Sequence, residues 1–145
     1  MNELRFEIAA AERARSDGSL PVRFRLVNAG PEPLLVNGRL AVTQAGGPGD
    51  VQLSASSDAG DVPFIADVNL GRPKPTDFRR LPPDDSVARE VDLRRYLLLR
   101  EPGTYRITAV YRNKVAGVDG LDAVAWTGEL TAEPLTVTVE PSTSR

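Results

Sequence analysis

Two stretches of this chain alternate apolar and polar residues with a period of two, and that alternation leaves little room for a helix. In Leu20-Pro21-Val22-Arg23-Phe24-Arg25-Leu26, residues Leu20, Val22, Phe24 and Leu26 share one parity and Arg23 and Arg25 the other. In Gly103-Thr104-Tyr105-Arg106-Ile107-Thr108-Ala109-Val110-Tyr111, the inward set is Tyr105, Ile107, Ala109 and Tyr111. On a helix of 3.6 residues per turn these sets would scatter around the axis, whereas on a strand each lines one face. Weaker copies of the pattern recur. Leu4, Phe6 and Ile8 oppose Arg5 and Glu7. Val36, Leu40 and Val42 share a parity within Leu34 to Thr43, where Gly38 predicts a bulge or a close backbone approach. Val51, Leu53 and Ala55 form a short run, Val87 to Leu93 another, and Leu135, Val137 and Val139 alternate with Thr136, Thr138 and Glu140.

The punctuation between these runs is turn chemistry. Ser16-Asp17-Gly18-Ser19 reads as a turn, because Asp bonds its own backbone and Gly accepts positive φ. Asn28-Ala29-Gly30-Pro31-Glu32-Pro33 ends the second run, and its prolines cannot donate to a central ladder. Gln44 to Asp50 is a Gly-rich turn. Ser56 to Pro83 is the least regular part and reads as loop, with one apolar patch at Phe64, Ile65, Val68 and Leu70. Arg94 to Leu99 predicts a brief helical turn. The last edge, Val124 to Thr131 and beyond, is interrupted by Pro134. Seven to nine short strands with turns every 8–12 residues predict an all-β chain, an antiparallel sandwich with at most one short helical turn. Residues 1–140 are expected to form a single domain and 141–145 a frayed tail.

Two zeros in the composition narrow the chemistry: there is no His and no Cys. Ser–His and Cys–His nucleophile pairs, zinc fingers, Cys-ligated clusters and disulfides all need residues this chain lacks. No cofactor is expected. The net charge of −2 argues against a nucleic-acid partner. That total hides an uneven distribution: residues 1–71 carry −3, residues 72–114 carry +5 and residues 115–145 carry −4. No apolar window approaches the roughly 18 residues a spanning helix needs, so no membrane partner is expected. Neither a basic n-region nor an apolar h-region opens the chain, so a cytoplasmic location follows if Met1 is the native start.

The carboxylates are the remaining candidates for catalysis. Asp84-Asp85 is the one adjacent pair; lying between Pro83 and Ser86, it reads as a turn with Asx caps. Asp58, Asp61 and Asp67 lack the spacing of an EF-hand loop, and Asp119-Gly120-Leu121-Asp122 reads as a turn. Gly46-Gly47-Pro48-Gly49 is no phosphate loop, since it lacks the Gly-Lys-Ser/Thr ending. Trp126 and Tyr111 read as packing. The expectation is therefore no catalytic site and no metal site. The strongest binding candidate is the basic cluster Arg72, Lys74, Phe78, Arg79 and Arg80. It lies in a segment stiffened by Pro73 and Pro75, where a preorganised loop would lose less entropy on docking.

Pro102-Gly103-Thr104-Tyr105-Arg106-Ile107 resembles the tyrosine corner of immunoglobulin-like domains, in which a Tyr near the start of a strand bonds back to upstream backbone. By that resemblance the second Cys of the family falls on Ile107, and the first is replaced by an aliphatic or aromatic such as Phe24 or Leu26. The sole Trp, Trp126, lies near the end rather than on the third strand, which sets the chain apart from antibody-type domains. The run Lys74 to Ser86, with Val91-Asp92-Leu93, Tyr96 and Pro102 to Tyr105, resembles the non-catalytic Ig-like domain preceding the peptidase in deuterolysin-like metallopeptidases. Leu26 to Leu34 is similar to that domain and to the bacterial intracellular proteinase inhibitors. The resemblance implies an Ig-like fold and an association with proteolysis, and it transfers no functional residue.

The expected function is thus a non-enzymatic interaction or structural module that binds another protein through loops or a sheet edge. Two alternatives stand beside it: a proteinase inhibitor or peptidase-associated domain inserting loop 72–80 into a cleft, and a carbohydrate-binding sandwich.

Overall fold

Nine strands of four residues or more, with two shorter ones, make up most of the regular structure in a computed structural model that describes residues 4–10, 20–68, 71, 73–99, 101–116 and 124–139. In chain order they are β1 (Leu4–Ala10), β2 (Pro21–Asn28), β3 (Leu34–Asn37), β4 (Val42–Gln44), β5 (Val51–Ser57), β6 (Gly60–Asp61), β7 (Phe78–Leu81), β8 (Ser86–Asp92), β9 (Gly103–Asn113), β10 (Gly128–Thr131) and β11 (Leu135–Val139). The expected all-β architecture is what the chain adopts. One sheet runs β1-β2-β8. A second runs β10-β9-β5-β4, with β11 also on β9 and β6 also on β5. The third is a ribbon of β3 and β7. The Ser16–Ser19 turn, Asp119–Asp122 and the 141–145 tail lie outside the described residues.

The alternation translates directly into burial. Leu20, Val22, Phe24 and Leu26 on one side, and Tyr105, Ile107, Ala109 and Tyr111 on the other, are all buried, while Arg23, Arg25 and Arg106 are exposed. Within the first sheet Phe6 of β1 stacks on Phe24 of β2 at 6.0 Å, and across the sandwich it meets Tyr111 of β9 at 5.8 Å. Ile107 belongs to the same core as Phe24 and Leu26, so apolar packing fills the middle of the fold. The Tyr105 hydroxyl donates to the Glu101 carbonyl at 2.6 Å, the bond expected of a tyrosine corner.

Two features depart from a plain antiparallel reading. The predicted strand Leu34 to Thr43 breaks at Gly38–Ala41, where the chain crosses from the ribbon into the second sheet. Val36, Leu40 and Val42 are all buried as their parity predicts, but Leu40 reaches its place with φ of +53°. Secondly, β4 pairs with β5 in parallel, Val42 with Val51. Parallel neighbours usually need a long crossover; here residues 45–50 make the return. The Gly-rich turn makes this possible: the Gly49 N–H donates to Thr43 Oγ1 at 2.9 Å, and a Cβ at Gly49 would lie 2.8 Å from the Ala41 carbonyl oxygen.

Strands β10 and β11 are successive parts of one edge on β9, and their registers differ by one. Thr131 faces Val110, yet Leu135 faces Ile107, so one extra residue is accommodated between them. That bulge, next to Pro134, switches the inward parity from Leu130 to Leu135, Val137 and Val139. The predicted helical turn is a single 3₁₀ turn at Leu93–Arg95, capped by Asp92, whose carboxylate accepts from the Arg94 N–H at 3.1 Å. A second 3₁₀ turn, beyond the one expected, occupies Pro75–Asp77.

Candidate interaction edge

The basic cluster chosen from sequence is not a simple loop. Its second half, Phe78–Leu81, is strand β7, paired antiparallel with β3 (Leu34 with Leu81, Val36 with Arg79, Asn37 with Phe78). Phe78 is 8% exposed, so it anchors the strand to the molecule and does not face a partner. This corrects its assignment as a contact residue, and it removes the aromatic anchor from the expected insertion loop. The reason is local. Asp77 closes the preceding 3₁₀ turn by accepting the Lys74 N–H at 2.7 Å, and Pro75 fixes φ at its start. The chain therefore leaves the turn already extended. Lys74, Arg79 and Arg80 are exposed, and Arg72 lies outside the described residues.

Register decides which backbone groups of β7 are spent. The Gly38 N–H donates to the Asp77 carbonyl at 2.8 Å, continuing the ladder in which Val36 faces Arg79. Hydrogen-bonded pairs alternate in an antiparallel ladder, so Arg79 and Leu81 turn their backbone groups toward β3, while Phe78 and Arg80 turn theirs away. The opposite side of β3 is occupied. The Leu35 carbonyl accepts the Trp126 N–H at 2.8 Å, and the Asn37 carbonyl accepts the Tyr111 hydroxyl at 2.9 Å. On β7, the Phe78 N–H is used by the Pro75 carbonyl. The Phe78 carbonyl and both backbone groups of Arg80 make no hydrogen bond with any described residue. Thus β3 is the inner strand of the ribbon and β7 its open edge.

The ribbon rests on a polar hub that was not legible in the sequence. Asp50 is 4% exposed, and four hydrogen bonds reach its carboxylate. Asn37 Nδ2 and Arg39 Nη2 donate to Oδ1 at 2.9 and 3.1 Å; Arg39 Nε and the Ala41 N–H donate to Oδ2 at 2.7 and 3.0 Å. The bond with Asp50 holds the Arg39 guanidinium above its ordinary pKa against the opposing effect of burial. Burial, and then the Asp50 charge, push the Tyr111 phenol upward as well. Asp50 shares the parity of Gln52 and Ser54, which alternation assigns to the wet face. Asn37 at the end of β3 and the crossing at Gly38–Ala41 supply its partners.

The other sequence candidates take structural positions. Asp84 adopts φ of +69° in a turn whose ends are tied by Asp84 N–H to Asn28 carbonyl at 2.8 Å and Asn28 N–H to Asp85 carbonyl at 3.0 Å. Asp58, Asp61 and Asp67 are exposed, and no group of three or more potential metal-ligating side chains occurs among the described residues. The Trp126 ring packs on Tyr111 at 5.9 Å and lies over Gly128. No described helix is long and apolar enough to cross a membrane. Comparison with protein-family models and with curated proteins returns no match for this chain.

Proposed function

We propose that the chain is a non-catalytic binding module that presents the open edge of β7, with its basic side chains, to another protein. One observation carries this reading: β7 is hydrogen-bonded on one side alone among the described residues, and its exposed side chains are Arg79 and Arg80. An open strand edge is a template for association, and guanidinium groups are favoured in protein contacts. The buried carboxylate and the one adjacent acidic pair have structural settings. Asp50 is held by four donors, and Asp84-Asp85 closes a turn.

The test is affinity capture with cross-linking from the source cell. It would use the wild type, an Arg79→Ala/Arg80→Ala double variant, and Arg106→Ala on the outer face of the other sheet as control. The expected result is a stoichiometric protein partner lost with the double variant and kept with the control. Retention by all three proteins, or hydrolytic turnover abolished by substituting Asp84 or Asp85, would overturn the proposal.

A further inference from the structure

The open edge also constrains what can occupy it. Resting on the reading of β7 as an interaction edge, we infer that its occupant is an extended acidic peptide segment that adds to β7 as a third strand of the ribbon. The backbone side of this inference is countable. The Phe78 carbonyl, the Arg80 N–H and the Arg80 carbonyl point outward. An incoming antiparallel strand opposite Arg80 exchanges two hydrogen bonds with it and gives a third to Phe78. The ladder ends there, because Phe78's own N–H is committed to the Pro75 turn and Pro82 has none. Three net hydrogen bonds make a weak ladder, so side chains must supply the remainder.

Charge supplies it and selects the sign. Lys74, Arg79 and Arg80 are exposed, and none forms an ion pair with a described residue; the ion pairs found are Arg23–Glu90, Arg25–Glu7 and Arg39–Asp50. The nearest carboxylate in the chain, Asp77, is turned back onto the Lys74 N–H. Facing arginines on successive residues of a strand flank both sides of an added strand, so acidic side chains of either parity find a cation. The same charges repel a second β7, since edge-to-edge pairing of two copies would gather four arginines. Other edges are guarded differently. Strand β8 sets Arg89 in register with Phe24, where its guanidinium donates to the Leu40 carbonyl at 2.8 Å, and β10–β11 carries the bulge and Pro134. The edge of β7 is held rigid by a proline turn before it and Pro82 after it, which lowers the ordering cost of docking.

Fluorescence anisotropy with the full chain and a capped six-residue peptide alternating Glu and Val tests this directly. Three comparison peptides complete the set: one with Lys in place of Glu, one N-methylated at the residue opposite Arg80, and one N-methylated at its neighbour, whose N–H points away. The Glu peptide should bind. The Lys peptide should not, and methylation opposite Arg80 should weaken binding about tenfold while methylation at the neighbour leaves it unchanged. Arg80→Pro, which removes the one outward N–H, should weaken the Glu peptide similarly, its fold being checked by the dispersion of the amide spectrum. No binding of the Glu peptide overturns the inference. Equal binding of both methylated peptides also overturns strand addition, while leaving partner capture to decide the interaction reading separately. Dimerisation of the chain itself, lost in Arg80→Pro, would identify a second copy as the occupant and overturn the acidic-peptide assignment.

Discussion

At Asp50 four donors from three residues converge, and substitution there reaches furthest through the fold. Asp50→Asn removes the charge opposite Arg39 and leaves a half-buried guanidinium with a neutral partner. Breaking a fully buried pair costs roughly 3–5 kcal/mol, and the partial exposure of Arg39 lowers the expectation to about 2–3 kcal/mol. Urea unfolding of the variant measures it. Tyr111 links the same hub to pH. Its folded pKa lies above the value near 10 that an unfolded tyrosine shows, so its protonated form contributes stability fully present below about pH 10 and lost as pH rises toward the folded value. Wild type should therefore lose stability between about pH 9 and 11 more steeply than Tyr111→Phe, which at neutral pH should be weaker by about 1 kcal/mol for the lost bond to Asn37. At this scale the sequence was a partial guide. Tyr105 and Ile107 are buried where alternation puts them, whereas Phe78 looked like a loop aromatic and Asp50 like a wet turn residue. Asp50 is covered by partners 9–13 residues upstream, and Phe78 lies opposite Asn37 of β3; the parity of their own segments registers neither.

Among the elements, the longest alternating runs became inner strands, β2 between β1 and β8 and β9 between β5 and the β10–β11 edge. Four-residue β7 was missed because Phe78-Arg79-Arg80-Leu81 has no period of two: its ends are buried and its middle exposed. The parallel pair of β4 and β5 was equally hidden, since nothing in the composition of a Gly-rich turn tells the direction of the strand that follows. Gly49 is where that return is tightest. Gly49→Ala would push a methyl against the Ala41 carbonyl, and the neighbour there is backbone, which cannot swing aside. The expected cost is about 1–3 kcal/mol, read from the shift in thermal midpoint, whereas Gly71→Ala, with open space around it, should shift it little.

For the molecule as a whole, salt should separate stability from binding. The exposed pairs Arg23–Glu90 and Arg25–Glu7, at 3.9 and 3.5 Å, are of the kind that contributes about 0–1 kcal/mol each, and the apolar core is insensitive to screening. Raising salt from about 0.05 M to about 0.5 M should leave the unfolding midpoint nearly unchanged yet weaken capture of a partner through Arg79 and Arg80. The uneven charge seen along the sequence, basic in 72–114 and acidic on both flanks, thus has one local expression in the structure, at β7. On the proposed reading, stability and recognition draw on different atoms.

The extra residue between β10 and β11 has a further consequence, for how this edge can change in length. Removing one residue from 132–134 would erase the bulge: Leu130 and Leu135 would then stand four apart, as Tyr111 and Ile107 opposite them do, and both would stay on the inner face of a continuous ladder. Removing two would leave an odd remainder and demand a new bulge or turn Leu135, Val137 and Val139 to water. An engineer splicing into this edge should therefore count in odd numbers when deleting.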